Sequence, residues 1–486
     1  MVRQTTTFEL MLPPRDRRTT AYRWLYEALR AEILEGRLRP GARLPGTRDL
    51  AGQYGLSRGT IVSAFEQLES EGYVDGSVGS GTYVSRVLPD ELLKAAHHAP
   101  VRSPAPGKRE RRLAGYAARL PASSMFDARR PRAFRTDLPA LDLFPTTLWT
   151  QIATKRLRRL SVGLLHGSEP LGYRPLRNAI ADYLTVSRGV KCDAEQIAVI
   201  AGVQDALDLV ARLLLDPRDR VCMEDPGYQG AAEVFESVGA NVCAVPLDEQ
   251  GMTVPRLRNV RLVYTTPAHQ FPLGTTMTIA RRLQLLEWAR GSGALIFEDD
   301  YDSEYRYSGR PVPSLQGLDA SEHVLFFGSF SKVLFPSLRL GYLVIPPDLV
   351  PPFAAAISLT RRHAPLLDQA VLCDFITEGH FARHLRRMRK VYAERLSVLL
   401  ECGRERLAGL LEISGVEAGL QTSAWLPRGI SGESAARAAA ARGVEVTPLS
   451  RYTRGSLPRE GLQLGFAAVD AREIRRGVRE LAIALE

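Results

Sequence analysis

A lysine lies in a short loop between two apolar, β-prone stretches, residues 324–327 and 340–344. The loop is rich in hydroxyl and cationic side chains, namely Ser329, Ser331, Lys332 and Arg339. An amine held between buried strands is costly to charge, and an uncharged amine can form a Schiff base with a carbonyl. The serines and Arg339 are suited to hold a phosphate, since a guanidinium makes forked, permanently charged contacts. A surface lysine and arginine on an ordinary loop are the alternative interpretation.

A group of acids and a tyrosine follows an apolar stretch upstream of this loop. Residues 294–297 run directly into Glu298, Asp299, Asp300 and Tyr301. Because α/β sheets place ligands at the carboxyl ends of their strands, these side chains indicate a site. A carboxylate there can keep a pyridine nitrogen protonated, and a tyrosine can reach a phenolic oxygen.

The order of strand, acid and tyrosine, strand, Ser-x-Ser-Lys and arginine is similar to that of fold-type I pyridoxal-phosphate (PLP) enzymes. This part of the chain resembles the class I/II aminotransferases, which implies that Lys332 is the catalytic lysine and forms a Schiff base with PLP. The resemblance places the PLP phosphate at a turn into a helix, where free N–H groups and the helix dipole favour an anion. It also implies that Tyr228 stacks on the pyridine ring, although an ordinary packed tyrosine fits the same pattern. The implied cofactor contacts are Gly202, Val203, Gln204, Tyr228, Asp299, Tyr301, Ser329, Ser331, Lys332 and Arg339.

The chain departs from the aminotransferases where those enzymes hold their substrate. Gln463 takes the position of the arginine that binds the substrate α-carboxylate, and a neutral amide cannot form a charged fork. Phe271 replaces the asparagine that bonds the phenolic oxygen of PLP. His269 and Gln270 are candidate substitutes, and His269 is equally a candidate structural histidine. Gly230 stands where a relative that responds to an amino acid has a second arginine. These differences argue for cofactor binding without transamination.

Three helical patterns and two short strands are predicted near the N-terminus. Apolar residues recur at helical spacing over residues 21–36, and Thr47 is expected to cap a second helix that Gly55 ends. Ser57 is expected to cap a third helix over residues 58–71, and strands are expected at 72–74 and 81–84. Helix, turn, helix and hairpin form a winged helix-turn-helix. Its motifs resemble the GntR family at residues 44–51, 55–61, 68–74 and 79–84.

A winged helix-turn-helix presents the N-terminal side chains of its recognition helix to the major groove of DNA. Arginine there reads a guanine edge or holds a phosphate, while glycines let the wing backbone approach the minor groove. The predicted DNA contacts are Arg48, Ser57, Arg58, Thr60, Gly79 and Gly81. Gly59 replaces a residue that is usually polar in the family, so one base contact is expected to be missing. The alternative is that Arg48 and Arg58 only solvate helix faces.

The segment between these two parts is basic. Residues 87–135 hold eleven Lys or Arg against four acids, most of the net charge of +10 of the 486-residue chain. Several prolines and little hydrophobic periodicity favour a flexible linker, whose charge would add salt-dependent attraction to DNA. The five scattered cysteines fit reduced thiols and indicate neither a disulfide framework nor a metal site. We find no long apolar run and no signal core, and therefore expect a cytoplasmic protein.

A GntR-type head joined to an aminotransferase-like body is identified as a member of the MocR subfamily of GntR regulators. The predicted architecture is multidomain, with a winged helix-turn-helix over residues 19–86, a basic linker over 87–135 and an α/β fold-type I body over 136–486. The resemblance implies a bacterial transcription factor that binds PLP and acts on double-stranded promoter DNA as a head-to-tail homodimer. Our first hypothesis is that PLP is the effector, as in the vitamin B6 (PdxR-like) regulators. The alternatives are sensing of an amino acid or amine through an external aldimine, and an aminotransferase with an appended DNA-binding head.

Overall fold

The computed structural model describes residues 11–15, 19–77, 81–88, 113–120, 131–309 and 312–486. The chain splits into two units, residues 1–111 and 112–486. The N-terminal unit contains α1 (Ala21–Leu34), α2 (Thr47–Tyr54), α3 (Arg58–Ser70), β1 (Val74–Ser77) and β2 (Gly81–Val84). Among the described residues, no helix is both long and apolar enough to cross a bilayer.

The three helices of the N-terminal unit bury one apolar stripe each. Leu25 and Leu29 of α1 are fully buried, as are Ile61 and Leu68 of α3. Spacings of four and seven residues place each pair on one helical face, as the sequence predicts. The ends of the helices follow the predicted caps with one exception. Gly46, not Thr47, is the N-cap of α2, because Thr47 already belongs to the helix.

Two antiparallel strands form the wing, with Val74 opposite Val84 at one end and Ser77 opposite Gly81 at the other. The first strand begins later than predicted, because Gly72 adopts a φ of 79° in the turn after α3. Residues 41–44 extend the hairpin: the amide of Gly41 donates to the carbonyl of Val84, and that of Leu44 donates to the carbonyl of Thr82. Gly79, a predicted DNA contact, lies outside the described residues.

The C-terminal unit alternates helices and strands along most of its length. Its helices are α4 (Gly115–Ala118), α5 (Thr146–Arg158), α6 (Val162–His166), α7 (Arg174–Arg188), α8 (Val203–Leu214), α9 (Gln229–Ser237), α10 (Ile279–Ser292), α11 (Leu315–Leu318), α12 (Val350–Thr360), α13 (Leu366–Thr377), α14 (His380–Arg406), α15 (Gly432–Ala441) and α16 (Ala471–Leu485). Its strands are β3 (Ile197–Ile200), β4 (Arg220–Asp225), β5 (Asn241–Asp248), β6 (Gly251–Met252), β7 (Val260–Thr265), β8 (Leu295–Asp300), β9 (Val324–Ser329), β10 (Gly341–Val344), β11 (Glu412–Ile413), β12 (Gln421–Trp425), β13 (Thr447–Pro448) and β14 (Gly461–Gly465).

Eight strands form a mixed sheet in the order β3-β10-β9-β8-β7-β4-β5-β6. Strands β5, β4, β7, β8 and β9 are parallel, whereas β10 runs antiparallel to both β9 and β3. Successive residues of a strand face opposite sides of the sheet. Leu325 and Phe327 of β9 therefore pack in one hydrophobic cluster with α8, while Phe326 packs in another with α7. Cover on both faces explains why these strands are continuously apolar.

A smaller antiparallel sheet, in the order β11-β12-β14-β13, forms the other part of this unit. The last residues of the stretch predicted as a linker pack on the body. Ala133 and Phe134 are fully buried, and the carbonyl of Phe134 accepts from the amide of Gly465 on β14. The sequence did not predict this packing, because two apolar residues, Ala133 and Phe134, are too short a pattern in an otherwise basic stretch.

Candidate functional site

A cavity of about 290 Å³ lies at the carboxyl edge of the large sheet. The ten residues predicted as cofactor contacts all line it: Gly202, Val203, Gln204, Tyr228, Asp299, Tyr301, Ser329, Ser331, Lys332 and Arg339. They meet there because parallel strands end at the same edge of a sheet, and because β10 begins where its antiparallel neighbours β9 and β3 end. Sequence analysis missed Asp137, Leu138, Tyr264, Thr266 and Pro336, which also line the cavity.

One corner of the cavity is suited to an anion. Gly202 precedes α8 with a φ of 108°, and a Cβ added to it would lie 3.7 Å from the guanidinium of Arg339. The amides of the first turn of α8 have no partner within the helix. Arg339 is exposed, and its guanidinium forms no hydrogen bond or ion pair with the part of the chain that the structure describes. A free guanidinium beside free helical N–H groups fits a phosphate.

The cavity is also lined by a buried acid. Asp299 is 4% exposed, and the hydroxyl of Tyr264 donates to its Oδ2 at 2.7 Å. Its Oδ1 is buried and accepts no hydrogen bond from the described residues. Burial raises the pKa of Asp299 to about 7, assisted by Asp300 and opposed by the hydrogen bond from Tyr264. A protonated pyridine nitrogen would supply the missing donor and a compensating charge, so this residue fits the cofactor.

The lysine is less enclosed than the sequence suggested. Its side chain is 24% exposed, and Nζ donates to the Oδ1 of Asp137 at 2.8 Å and to the carbonyl of Asp137 at 3.0 Å. The expected enclosure of the amine between buried strands is therefore only partly met, since the side chain is part-buried and its Nζ is paired with a carboxylate. Asp137 was missed because 195 residues separate it from Lys332 and no motif surrounds it.

His269 and Gln270, which precede Phe271, form hydrogen bonds inside the protein. The side-chain amide of Gln270 donates to the carboxylate of Glu224 at 3.1 Å and to the carbonyl of Pro226 at 2.9 Å. His269 is buried, and its Nδ1 lies 3.0 Å from the hydroxyl of Tyr301. Of the described residues here, Phe271 and Tyr301 line the cavity, whereas His269 and Gln270 do not. His269 thus orients Tyr301, and Tyr301 is the hydroxyl that reaches the cavity.

Tyr228 and Gln204 form a second contact at the cavity wall. The amide of Gln204 donates to the hydroxyl of Tyr228 at 3.0 Å, and burial raises the pKa of Tyr228 above its usual value. A Cβ added to Gly230 would lie 2.6 Å from the ring of Tyr228 and 2.4 Å from the Gln204 amide nitrogen. Gly230 takes the position of the second arginine of an amino-acid-responsive relative, and this chain has no room for a side chain at that position.

Gln463 lies on β14 and is fully buried. Its Oε1 accepts a hydrogen bond from the hydroxyl of Tyr452 at 2.9 Å. It is not among the described residues that line the cavity. The position predicted to have lost the carboxylate-binding arginine is thus occupied by a neutral side chain that faces a tyrosine.

Of the predicted DNA contacts that the structure describes, Thr60 is partly exposed and the others are exposed, namely Arg48, Ser57, Arg58 and Gly81. Arg48 and Arg58 are exposed and bond to none of the described residues. Arg58 is the first residue of α3, as expected of a recognition helix. Sequence analysis missed Arg43, which lies against the wing: a Cβ added to Gly81 would come within 2.8 Å of its guanidinium nitrogen.

Ser57 has a structural role at the start of α3. Its Oγ accepts from the amide of Thr60 at 3.1 Å and lies 2.8 Å from the Thr60 hydroxyl. We expect Ser57→Ala to destabilise the N-terminal unit by about 1 kcal/mol, the usual contribution of an N-cap. Thermal unfolding followed by circular dichroism measures this. Ser57→Asp, which keeps a capping oxygen, is the control and is expected to unfold close to the wild type.

Asp299 gives the protein without cofactor a distinct pH dependence. Its folded-state pKa of about 7 exceeds the unfolded value of about 3.9. The folded state therefore retains a proton that the unfolded state has lost, and stability falls as pH rises through this window, by up to about 4 kcal/mol. In Asp299→Asn we expect a smaller decrease of melting temperature between about pH 5 and pH 8. Asp142→Asn, at an exposed position outside the cavity, should behave like the wild type. An unchanged slope in Asp299→Asn would contradict the assignment.

The comparisons with known proteins agree with this architecture. Residues 21–84 match the family described as "Bacterial regulatory proteins, gntR family", and residues 147–481 match "Aminotransferase class I and II". The chain is 41% identical to the probable rhizopine catabolism regulatory protein MocR of Rhizobium meliloti, over 97% of this chain and 95% of that protein. It is 30% identical to the pyridoxine biosynthesis transcriptional regulator PdxR of Corynebacterium glutamicum, over 95% of each chain.

A solved aminotransferase structure resembles more than three quarters of the chain. The kynurenine aminotransferase of Pyrococcus horikoshii, determined in complex with PMP, aligns with a TM-score of 0.72 and 28% identity, over 78% of this chain and 98% of its own. An aminotransferase fold thus carries an additional gntR-type region in this chain. With both regions matched and full-length regulators as relatives, the chain belongs to the MocR subfamily of the gntR family of bacterial transcriptional regulators.

Proposed function

We propose that this regulator holds PLP at Lys332 and that PLP binding changes its affinity for promoter DNA. The observation that carries the proposal is the cavity itself, which is lined by a guanidinium and a buried carboxylate oxygen without partners among the described residues, and by a lysine amine. These three groups match the phosphate, the pyridine nitrogen and the aldehyde of one molecule. The similarity to PdxR supports a link to vitamin B6 metabolism.

Each part of the cavity has a role in holding the cofactor. Arg339 and the first turn of α8 would bind the phosphate, Asp299 would accept from the pyridine nitrogen, and Tyr301 would donate to the phenolic oxygen. Ser329 and Ser331 support the same loop, since the amide of Ser331 donates to the Oγ of Ser329 at 3.1 Å. PLP supplies an aldehyde that Lys332 captures covalently.

The neutral side chain at position 463 favours regulation over transamination. An aminotransferase positions its substrate through the carboxylate, and such positioning accounts for a large share of rate acceleration. In this chain the position holds a buried amide bonded to Tyr452. We therefore propose a cytoplasmic sensor with the head at residues 19–86, the basic linker at 87–135 and the body at 136–486. As a head-to-tail homodimer it would present two heads to two half-sites of promoter DNA.

DNA binding with and without PLP tests the effector role. The DNA is a fragment selected for binding to the wild-type protein. We expect PLP to change the dissociation constant of the wild type for this DNA by about fivefold or more, which is the usual range of allosteric coupling. Lys332→Ala should show no change on addition of PLP, because the aldehyde has no amine to react with. Lys191→Ala, at an exposed lysine outside the cavity, should respond like the wild type. Identical curves with and without PLP for both the wild type and Lys332→Ala would exclude PLP as the effector.

A further inference from the structure

The cavity offers no cation for a ligand carboxylate. Lys332 and Arg339 are the two cationic side chains among its described lining residues. The proposed function already uses both, the first for the aldehyde and the second for the phosphate. A ligand that enters beside the lysine therefore finds no further fixed positive charge.

The strand that bears Gln463 does not provide one either. Gln463 is neutral and bonded to Tyr452. The arginines that flank Tyr452 in the sequence, Arg451 and Arg454, form ion pairs with Glu433 and Glu236, which do not line the cavity. Neither guanidinium is available to replace the missing carboxylate contact.

A carboxylate occupies the space beside the lysine instead. Asp137 lines the cavity, and its Oδ1 lies 2.8 Å from the Nζ of Lys332. Its backbone is fixed from the other side, since its amide donates to the Oε1 of Gln421 at 3.2 Å. Its φ of 67° lies in the left-handed region, which aspartate adopts more readily than most residues. The buried Phe134, bonded to Gly465, anchors the same segment. The negative charge is thus held at the cavity mouth by the body and not by Lys332 alone.

We propose that Asp137 makes the PLP-loaded site select primary amines that carry no carboxylate, such as amino alcohols and diamines, over amino acids. This inference rests on the proposed attachment of PLP at Lys332. Two carboxylates in a partly desolvated cavity repel each other, whereas an ammonium group is attracted to Asp137. Asp137 therefore both excludes one class of ligand and concentrates the other.

The exchange of amines conserves atoms and electrons. The ligand nitrogen forms the C=N bond to the aldehyde carbon, the bond from that carbon to Nζ of Lys332 breaks, and the hydrogens of the ligand nitrogen pass to Nζ. Nothing is oxidised or reduced.

Matched pairs of ligands test this selectivity in the PLP-loaded full-length protein. Ethanolamine and serine differ only in the carboxylate, as do 1,5-diaminopentane and lysine. Titration followed by the absorbance of the bound cofactor gives a dissociation constant for each. We expect each amine to bind at least about tenfold more tightly than its amino acid, because repulsion of unit charges at about 4 Å exceeds one tenfold step at moderate dielectric constants.

Two variants assign the selectivity to one carboxylate. Asp137→Asn keeps the shape of the side chain and removes its charge. In this variant the affinities for an amine and for its amino acid should differ by no more than about threefold, because the remaining charges are more distant and screened. Asp142→Asn removes a charge outside the cavity and should keep the wild-type ratio. The proposal would be overturned if the wild-type protein bound serine as tightly as ethanolamine, or bound neither. This outcome does not depend on whether a variant folds. A ratio that persists in Asp137→Asn would overturn the role of Asp137.

Borohydride reduction separates this inference from the proposed function. If the peptide that contains Lys332 gains no cofactor mass after reduction, PLP attachment is wrong, and the selectivity proposal fails with it. If the mass is present but amines and amino acids bind equally, only the selectivity proposal is wrong.

Discussion

Replacing Arg339 with alanine is expected to weaken PLP binding about 100-fold, because truncating one partner of a charged hydrogen-bonded pair removes several kcal/mol. The guanidinium lies against Gly202 at the start of α8 and has no partner among the described residues, so its charge is available to a phosphate. Arg339→Lys should have an intermediate effect, since an ammonium keeps the charge but loses the forked geometry.

Absorbance titration with PLP measures this effect, and Arg386→Ala is a suitable control. Arg386 is an exposed arginine of α14, outside the described lining of the cavity. Its loss changes the net charge equally and should leave the affinity unchanged. An Arg339→Ala protein with wild-type affinity would show that the phosphate lies elsewhere, and the assigned orientation of PLP would then be wrong.

Replacing Arg58 with alanine is expected to weaken binding to selected promoter DNA by about 10- to 100-fold, the range of one bidentate base contact. Arg58 is exposed, begins α3 and has no internal partner among the described residues. Arg23→Ala removes one charge from α1, where Arg23 pairs with Glu27, and should have a much smaller effect.

Salt dependence separates the two possible roles of Arg58. If Arg58 contacts a base, its replacement should relax the sequence preference and leave the salt slope nearly constant. If Arg58 contacts a phosphate, its replacement should weaken binding to all sequences alike and lower the salt slope by about one. Arg48→Ala, on α2, is the comparison for a phosphate contact. Unchanged affinity and unchanged preference in Arg58→Ala would mean that this side chain only solvates its helix.

The pH dependence of Asp299 and the affinity for PLP have one physical origin. Burial makes the Asp299 carboxylate costly to ionise in the protein without cofactor, and its Oδ1 lacks a donor among the described residues. A pyridinium nitrogen would relieve both costs. An empty site is therefore destabilising at neutral pH, and we expect bound PLP to raise the melting temperature at that pH.

Local patterns in the sequence determined much of this protein. The apolar periodicity of residues 21–34, the glycine after α2 and the serine before α3 predicted the head, because caps and amphipathic faces are short-range features. The apolar strands before Asp299 and Ser329 predicted one edge of a parallel sheet, and all ten residues predicted as cofactor contacts line one cavity there.

Tertiary structure alone decided the charges around the lysine. Asp137 is 195 residues away from Lys332 in the sequence, and a left-handed backbone directs it to the amine. The same packing commits Gln270 to Glu224, leaves no room at Gly230 and places Phe134 in the core. These outcomes depend on contacts between distant segments, whose distances and burial no local pattern encodes. The sequence therefore determined which residues line the cavity, and the folded chain decided the charges and the free space around its lysine.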